Sequence, residues 1–515
     1  MSTSALLTAR ALILLQLLSR LLTFGLNQAL VRLAPPEVFG TAAIQFDLIC
    51  STTLFLSREG IRNALLRSPI TPHSGKDKSS RRAQDRRQAT MPFWLGIAVS
   101  ALTVTIYLTR LPLSTSRQKD FHLSLALYVV SALLELGIEP HYIRALRNDP
   151  PKIRVRVQAE GGMAITRAVT TVGCVVLFDR LGRGGPLLAF AVGQAMGAVW
   201  LVGRYVLEFG TEGLLWSSLD MGEKRFNDAT TSLALANMRQ SVVKHVLTEA
   251  DRIAVGIICP LEDQGGYAIA MNYGSLVARI IFQPLEETLL LHFSSAPTSP
   301  SSIRLLTLAV RLSAHLLLLL PAFLPPLLPA LISLLLPRRY LSTSAPEILE
   351  IYLKAYIPLL SLNGILEAYH AATATPAEVK TQIKWMIASS FGFVGALVVN
   401  AKSVRWQTEA TLIYASCIAM AIRIIYALLH AQRRARECGS ELRVGSIAPR
   451  KAVVVVAAAS GVLIRWLAGK ARWENGWKGR GELILAGAVL GLGTLGAVGL
   501  SEKRDVQEVW RVKKE

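Results

Sequence analysis

Apolar residues in this chain recur in runs close to the ~20 residues that an α-helix needs to cross a bilayer, and short polar turns separate the runs. Read this way, the chain predicts about fourteen membrane spans. They lie near 7–31, 38–57, 91–110, 121–143, 155–178, 186–206, 235–258, 265–290, 303–336, 347–372, 382–400, 409–430, 451–468 and 482–500. Segment 303–336 is too long and too rich in proline (Pro321, Pro325, Pro326, Pro329) for one straight helix, so it is expected to kink or break. The stretch from Pro69 to Thr90 lacks apolar periodicity and is rich in Ser, Lys and Arg, which predicts a mobile loop.

Polar residues inside the spans fall at helical steps. Between Lys244 and Glu287, Asn272, Ser275, Arg279, Gln283 and Glu286 follow one another at steps of three or four, with Ile, Leu, Val and Phe opposite. Gln16, Arg20, Thr23 and Asn27 share a face of the first span, and Asp47, Ser51, Arg58 and Arg62 share one of the second. The fourth offers Tyr128, Ser131, Glu135, Glu139 and Tyr142, and the tenth Asn363, Glu367 and His370. A charge at mid-membrane costs at least ~2.5 kcal/mol unless it meets water or a partner, so these stripes predict the wall of a polar cleft.

Composition fits a membrane protein. Of 515 residues, 52% are hydrophobic and only 18% charged, with a mean hydropathy of +0.40. The net charge of +21 does not point to nucleic acid, because no recognition motif accompanies it. Lys and Arg concentrate instead in alternate connections, at Arg58 to Arg87, Arg144 to Arg156, Arg433 to Lys451 and in the C-terminal tail. The positive-inside rule then places both termini in the cytosol. Arg465, Lys470, Arg472, Lys478 and Arg480 disagree with that placement. Five cysteines without metal-ligand spacing read as core residues, and neither a cofactor motif nor a nucleotide-binding loop is present. Arg20 within the first apolar segment argues for a retained helix rather than a cleaved signal.

Depth assigns chemistry to the stripes. Arg20, Lys244 and Arg279 fall near mid-span and suit a phosphate or pyrophosphate. Glu59, Glu139, Glu286 and Glu367 fall toward the ends of even-numbered spans, and carboxylates and amides there suit sugar hydroxyls or cations. The competing reading is that each Glu pairs with an Arg on a neighbouring helix and holds the bundle together. Glu249 could pair with His245 one turn before it, and Asp251 with Arg252 could fix the lumenal end of their helix. His315 and Arg423 read as lone polar residues satisfied within the bundle, and Gly487 with Gly491 as a packing face. A short recurrence, Glu37-x-x-Gly40-Thr41-Ala42 against Asp263-x-x-Gly266-Tyr267-Ala268, hints at two six-helix lobes, 1–210 and 211–435, followed by two added helices in 436–515.

Several clusters resemble the eukaryotic dolichol-linked oligosaccharide translocation proteins of the endoplasmic reticulum. They are Leu22-Thr23-Phe24 with Asn27, Ser51 to Leu56 followed by Arg58-Glu59, Glu135-Leu136-Gly137 with Glu139-Pro140, Leu247-Thr248-Glu249 with Arg252, Asp263-Gln264-Gly265, Gly274 to Arg279 running to Glu286-Glu287, and Asn363-Gly364 with Glu367. The resemblance implies an all-α polytopic protein of the multidrug, oligosaccharidyl-lipid and polysaccharide flippase superfamily, with two helical lobes around a central cavity. It implies no enzyme chemistry, no cofactor and no metal, but help in moving a dolichyl-pyrophosphate oligosaccharide to the lumenal leaflet for N-glycosylation. The expected head-group contacts are Arg20, Asn27, Arg58, Glu59, Glu135, Glu139, Lys244, Asn272, Arg279, Glu286, Asn363 and Glu367. Two other activities stay open: a non-transporting protein that binds the lipid-linked sugar, and an ion-coupled exporter using Asp47, Glu135 and Glu139.

Overall fold

Proline sets where many helices begin. Its missing N–H costs nothing at the first helical position and its fixed φ suits the first turn. Pro36, Pro186 and Pro300 each follow a residue held extended, with ψ of 151°, 162° and 137° at Pro35, Gly185 and Ser299. Glycine ends others, as at Gly182, whose φ of 63° a side chain would resist.

The computed structural model describes residues 25–67 without 27, 76–110, 113–148, 152–211, 248–295, 299–401, 408–439, 444–470 and 477–512. It also describes 235, 238, 239, 241, 242, 245, 246 and 442. The expected span 7–31 lies largely outside these residues, and 235–258 in part.

The helices are α1 (Pro36–Leu66), α2 (Lys76–Arg110), α3 (Phe121–Arg147), α4 (Ile153–Leu181), α5 (Pro186–Phe209) and the short α6 (Ala250–Ile258). There follow α7 (261–295), α8 (Pro300–Leu335), α9 (Ala345–Thr373), α10 (Pro376–Ala401), α11 (Thr408–Glu437), α12 (Lys451–Lys470) and α13 (Trp477–Val512). Among the described residues eleven helices are long and apolar enough to cross a membrane, each at a predicted span. The protein is therefore an all-helical, multi-pass membrane protein. Polar groups along α7 keep it out of those eleven, although it is helical throughout the expected span 265–290.

Three expectations need correction. The predicted loop between Pro69 and Thr90 is helical from Lys76 onward, continuous with the rest of α2. Lys, Arg, Gln and Ala are good helix formers, and a helix that leaves the membrane needs no apolar stripe. Helix α8, expected to kink or break at its four internal prolines, does not break and runs continuously from Pro300 to Leu335. Within a bundle, neighbouring helices and local adjustments re-satisfy the backbone groups that proline frees. In α7 a π-helical turn at Ala278–Phe282 inserts extra residues per turn, so the polar stripe from Asn272 to Glu286 does not stay on one face. Similar turns occur at Thr41–Phe46 in α1 and Tyr352–Tyr356 in α9.

The chain forms two compact units, Met1–Gly265 and Gly266–Glu515. In the first, α1 is an inner helix: 56% of its most apolar window is buried, against 11% for α4. Its Phe46 ring meets those of Phe121 and Tyr128 at 5.5 and 5.1 Å. Gly40 lets the start of α1 approach residues 261–265, since a Cβ there would come within 2.6 Å of the Leu261 carbonyl oxygen. In the second unit α9 is inner, with 61% of its window buried, and Phe293 and Tyr369 anchor an apolar core through an edge-on contact at 5.1 Å. Both inner helices turn polar side chains inward, Gln45, Thr53 and Ser57 on α1 and Ser361, Asn363 and His370 on α9, because outside the bundle lies lipid rather than water. Cys50, Cys259 and Cys417 are buried, and no cysteine is bridged among the described residues.

Helices α12 and α13 form a hairpin against α8. Arg311 of α8 binds Glu502 at 2.6 Å and also Asp505, while Arg450 reaches Asp505 at 2.8 Å. At the far end of the hairpin Gly487 admits Leu327, as a packing glycine should, whereas Gly491 faces open space. Arg465 lies at that far end too, where its guanidinium reaches the Pro321 carbonyl.

Candidate functional site

In the first unit the buried charges are already matched. Arg62 forms a two-pronged pair with Glu139, with Nε to Oε1 at 2.5 Å and Nη2 to Oε2 at 2.7 Å. Its guanidinium also lies 3.8 Å from the centre of the Tyr142 ring. One turn away Arg58 approaches Glu135 at 3.8 Å, a looser contact. Both pairs span the same sequence separation, so the polar rows of α1 and α3 meet in parallel register. Deeper along α1, Asp47 receives a hydrogen bond from Arg167 of α4 at 2.9 Å. Glu59 accepts a hydrogen bond from Asn63, its neighbour one turn on.

Four expected contacts in this unit are thereby placed. Glu139 is fully buried with both oxygens committed to Arg62, which is the pairing behaviour of a bundle residue. Glu135 and Arg58 keep free hydrogen-bonding capacity, because 3.8 Å is an ion pair without a hydrogen bond. The side chain of His245 bonds Thr52 at 2.9 Å and stacks on Phe55, so Glu249 takes Arg252 as its partner, at 3.3 Å. Arg20, Asn27 and Lys244 lie outside the described residues. Of Arg279 only the backbone is described, within the π-helical turn of α7.

The second unit differs. The Glu286 carboxylate lies directly against Gly364, where any side chain would collide with it. Glu367, one turn beyond Asn363 on α9, is within coulombic range of Glu286. Neither carboxylate has a hydrogen bond or ion pair among the described residues. Asn363 is 4% exposed and its Oδ1 has no partner among the described residues. Asn272 is half-buried on α7. Arg423 on α11, expected to be satisfied within the bundle, has a buried Nε without a partner among the described residues.

At one end of α9, α10 and α11 the charged groups are paired, although the Nε of Arg434 is buried without a hydrogen bond among the described residues. His430 bonds Thr373 at 2.9 Å and approaches Glu378 at 3.3 Å, and Arg434 binds Glu378 at 2.8 Å. His370 contacts Tyr426 at 3.3 Å. Polar periodicity marked His370 but not its partners, since a pairing between helices leaves no trace in the spacing along either one.

Comparison with known proteins agrees with this architecture. Residues 4–512 match the model of the family described as "Rft-1: Rft protein". The chain is 30% identical to the Man(5)GlcNAc(2)-PP-dolichol translocation protein RFT1 of Yarrowia lipolytica, over 81% of this chain and 68% of that one. It is 26% identical to the protein of that name in Saccharomyces cerevisiae, over 96% and 92% of the two chains. For the one in Xenopus tropicalis the identity is 27%, over 96% and 94%. A solved structure of the lipid II flippase MurJ in an inward closed conformation superposes with a TM-score of 0.62 at 12% identity, covering 95% of this chain and 99% of that one. At that identity the likeness is one of fold. By the match over nearly its whole length, this chain belongs to the Rft protein family.

Proposed function

We propose that this protein moves a dolichyl-pyrophosphate-linked oligosaccharide, Man5GlcNAc2-PP-dolichol, from the cytosolic to the lumenal leaflet of the endoplasmic reticulum membrane for N-glycosylation. The observation that carries the proposal is the family match from residue 4 to 512, with relatives named for that translocation covering most of both chains. Half-buried carboxylates without partners support it, since a membrane protein keeps such groups where something polar must pass. The work is transfer without bond chemistry.

In this reading the lobes are residues 1–210 and 211–435, with 436–515 as two added helices, and both termini are cytosolic. Arg20, Lys244 and Arg279 hold the pyrophosphate. Asn27, Arg58, Glu59, Glu135, Asn272, Glu286, Asn363 and Glu367 meet sugar hydroxyls, and Glu139 holds Arg62 in place beside them. The lipid tail stays in the bilayer while the lobes alternate in access. The test is purified protein in vesicles containing the glycolipid, with leaflet location read by a non-permeant probe. Movement faster than in protein-free vesicles is expected. Binding without movement would replace this reading by that of an accessory protein, and movement that required an ion gradient by that of a coupled transporter.

A further inference from the structure

We infer that Arg423, Asn363, Glu367 and Glu286 form a self-contained subsite for a glycosyl phosphate within the second unit, with Arg423 as its phosphate ligand. The inference rests on the translocation reading for its biological substrate, but the site is argued from geometry.

Two contacts fix the register of α9 against α11. His370 meets Tyr426, and Thr373 meets His430, so the helices run parallel with matching positions 56 or 57 residues apart. Stepping back along both helices by the same three residues brings Glu367 level with Arg423. On α9, Asn363 lies one turn further in, on the same face as Glu367 and His370. On α11, Arg423 lies on the face that carries Tyr426 and His430. Opposite charges brought level on neighbouring helices would be expected to pair, as Glu378 of α10 does with Arg434 of α11 a short way along. Glu367 and Arg423 do not pair in this structure.

Glu286 completes the set from α7. Gly364 lets its carboxylate sit against the α9 backbone, and Glu286 feels the charge of Glu367. On α9, Glu367 points between the directions of Asn363 and Gly364, given 100° per residue, so the three acceptors occupy one arc of the helix. The buried Oδ1 of Asn363 is the most informative of them. An amide oxygen held out of water without a donor is destabilising, and a ligand hydroxyl would supply the missing hydrogen bond.

The inventory selects the ligand. A guanidinium offers only donors and favours a phosphate oxygen, whereas two carboxylates and an amide oxygen accept from hydroxyls. A bare phosphate meets repulsion from Glu286 and Glu367, and a bare metal cation meets repulsion from Arg423. A sugar carrying a phosphate satisfies both halves. In the proposed substrate that element is the sugar joined to the pyrophosphate.

The test is binding of N-acetylglucosamine 1-phosphate to the purified full-length protein, by thermal shift and by competition with the glycolipid, beside inorganic phosphate and free N-acetylglucosamine. The sugar phosphate should bind more tightly than either fragment. Arg423→Gln should weaken it by about tenfold or more while leaving binding of the free sugar unchanged, since a charge-assisted hydrogen bond contributes ~1.5–3 kcal/mol. Asn363→Leu should weaken the sugar and the sugar phosphate together. If Arg423→Gln lowers protein stability, Arg423→Lys, which keeps the charge, decides by partial recovery of the phosphate preference. Equal binding of sugar phosphate by wild type and both variants, or none by wild type, overturns the subsite. Binding with this pattern by a protein that moves no glycolipid in vesicles would instead sink the translocation reading and leave the subsite standing.

Discussion

Glu139→Gln isolates the strongest claim about buried charge in the first unit. Glu139 is fully buried and holds Arg62 by two hydrogen bonds of 2.5 and 2.7 Å, while Tyr142 covers the guanidinium at 3.8 Å. Removing one member of a buried pair typically costs ~3–5 kcal/mol, because the other charge remains without compensation. Glutamine restores one acceptor, worth ~1 kcal/mol, and the ring contact survives. The net loss should be about 2–4 kcal/mol, or roughly 30- to 800-fold in the unfolding equilibrium. Reversible unfolding of the purified protein in mixed micelles measures it directly, and steady-state membrane abundance should fall in parallel. The double variant Arg62→Met with Glu139→Leu should recover much of the stability, since an apolar pair removes both desolvation penalties. Glu135→Gln should cost much less, because its pair with Arg58 is open at 3.8 Å. Wild-type stability in Glu139→Gln together with lost translocation would refute the reasoning and make Glu139 a head-group contact.

Gly265→Ala should destabilise the first unit by about 1–3 kcal/mol in the same unfolding assay, because its new Cβ would drive into the Pro36 carbonyl, which is backbone and cannot rotate away. Glu502→Leu, which leaves Arg311 and Arg450 facing no buried carboxylate, should loosen the C-terminal hairpin from α8. Faster hydrogen exchange in residues 484–505, with little change in α3 to α5, reads that outcome. Single cysteines at Ser79 and in the tail beyond Arg511 should label only from the cytosolic side of sealed microsomes, and lumenal labelling at Ser79 would reverse the proposed orientation.

Local physics made much of this protein legible. Eleven spans were readable from the lengths of apolar runs, because a bilayer of fixed thickness imposes a length that no partner can alter. The rows Arg58 with Arg62 and Glu135 with Glu139 were visible for a similar reason, since a helix repeats every 3.6 residues wherever it sits. Tertiary structure decided what each row meets. That Glu139 closes on Arg62 while Glu286 and Glu367 find no cation among the described residues depends on which helices lie side by side, and spacing along one helix carries no information about its neighbour. The π-helical turn at Ala278–Phe282 shows the limit of periodicity itself, because one extra residue per turn rotates every later side chain to another face. The unbroken α8 shows the same limit for proline, whose cost is set by the surroundings that re-satisfy the freed carbonyls. Sequence alone thus determined that polar groups are carried into a membrane, and only the packing of helices settled which of the described ones are neutralised there.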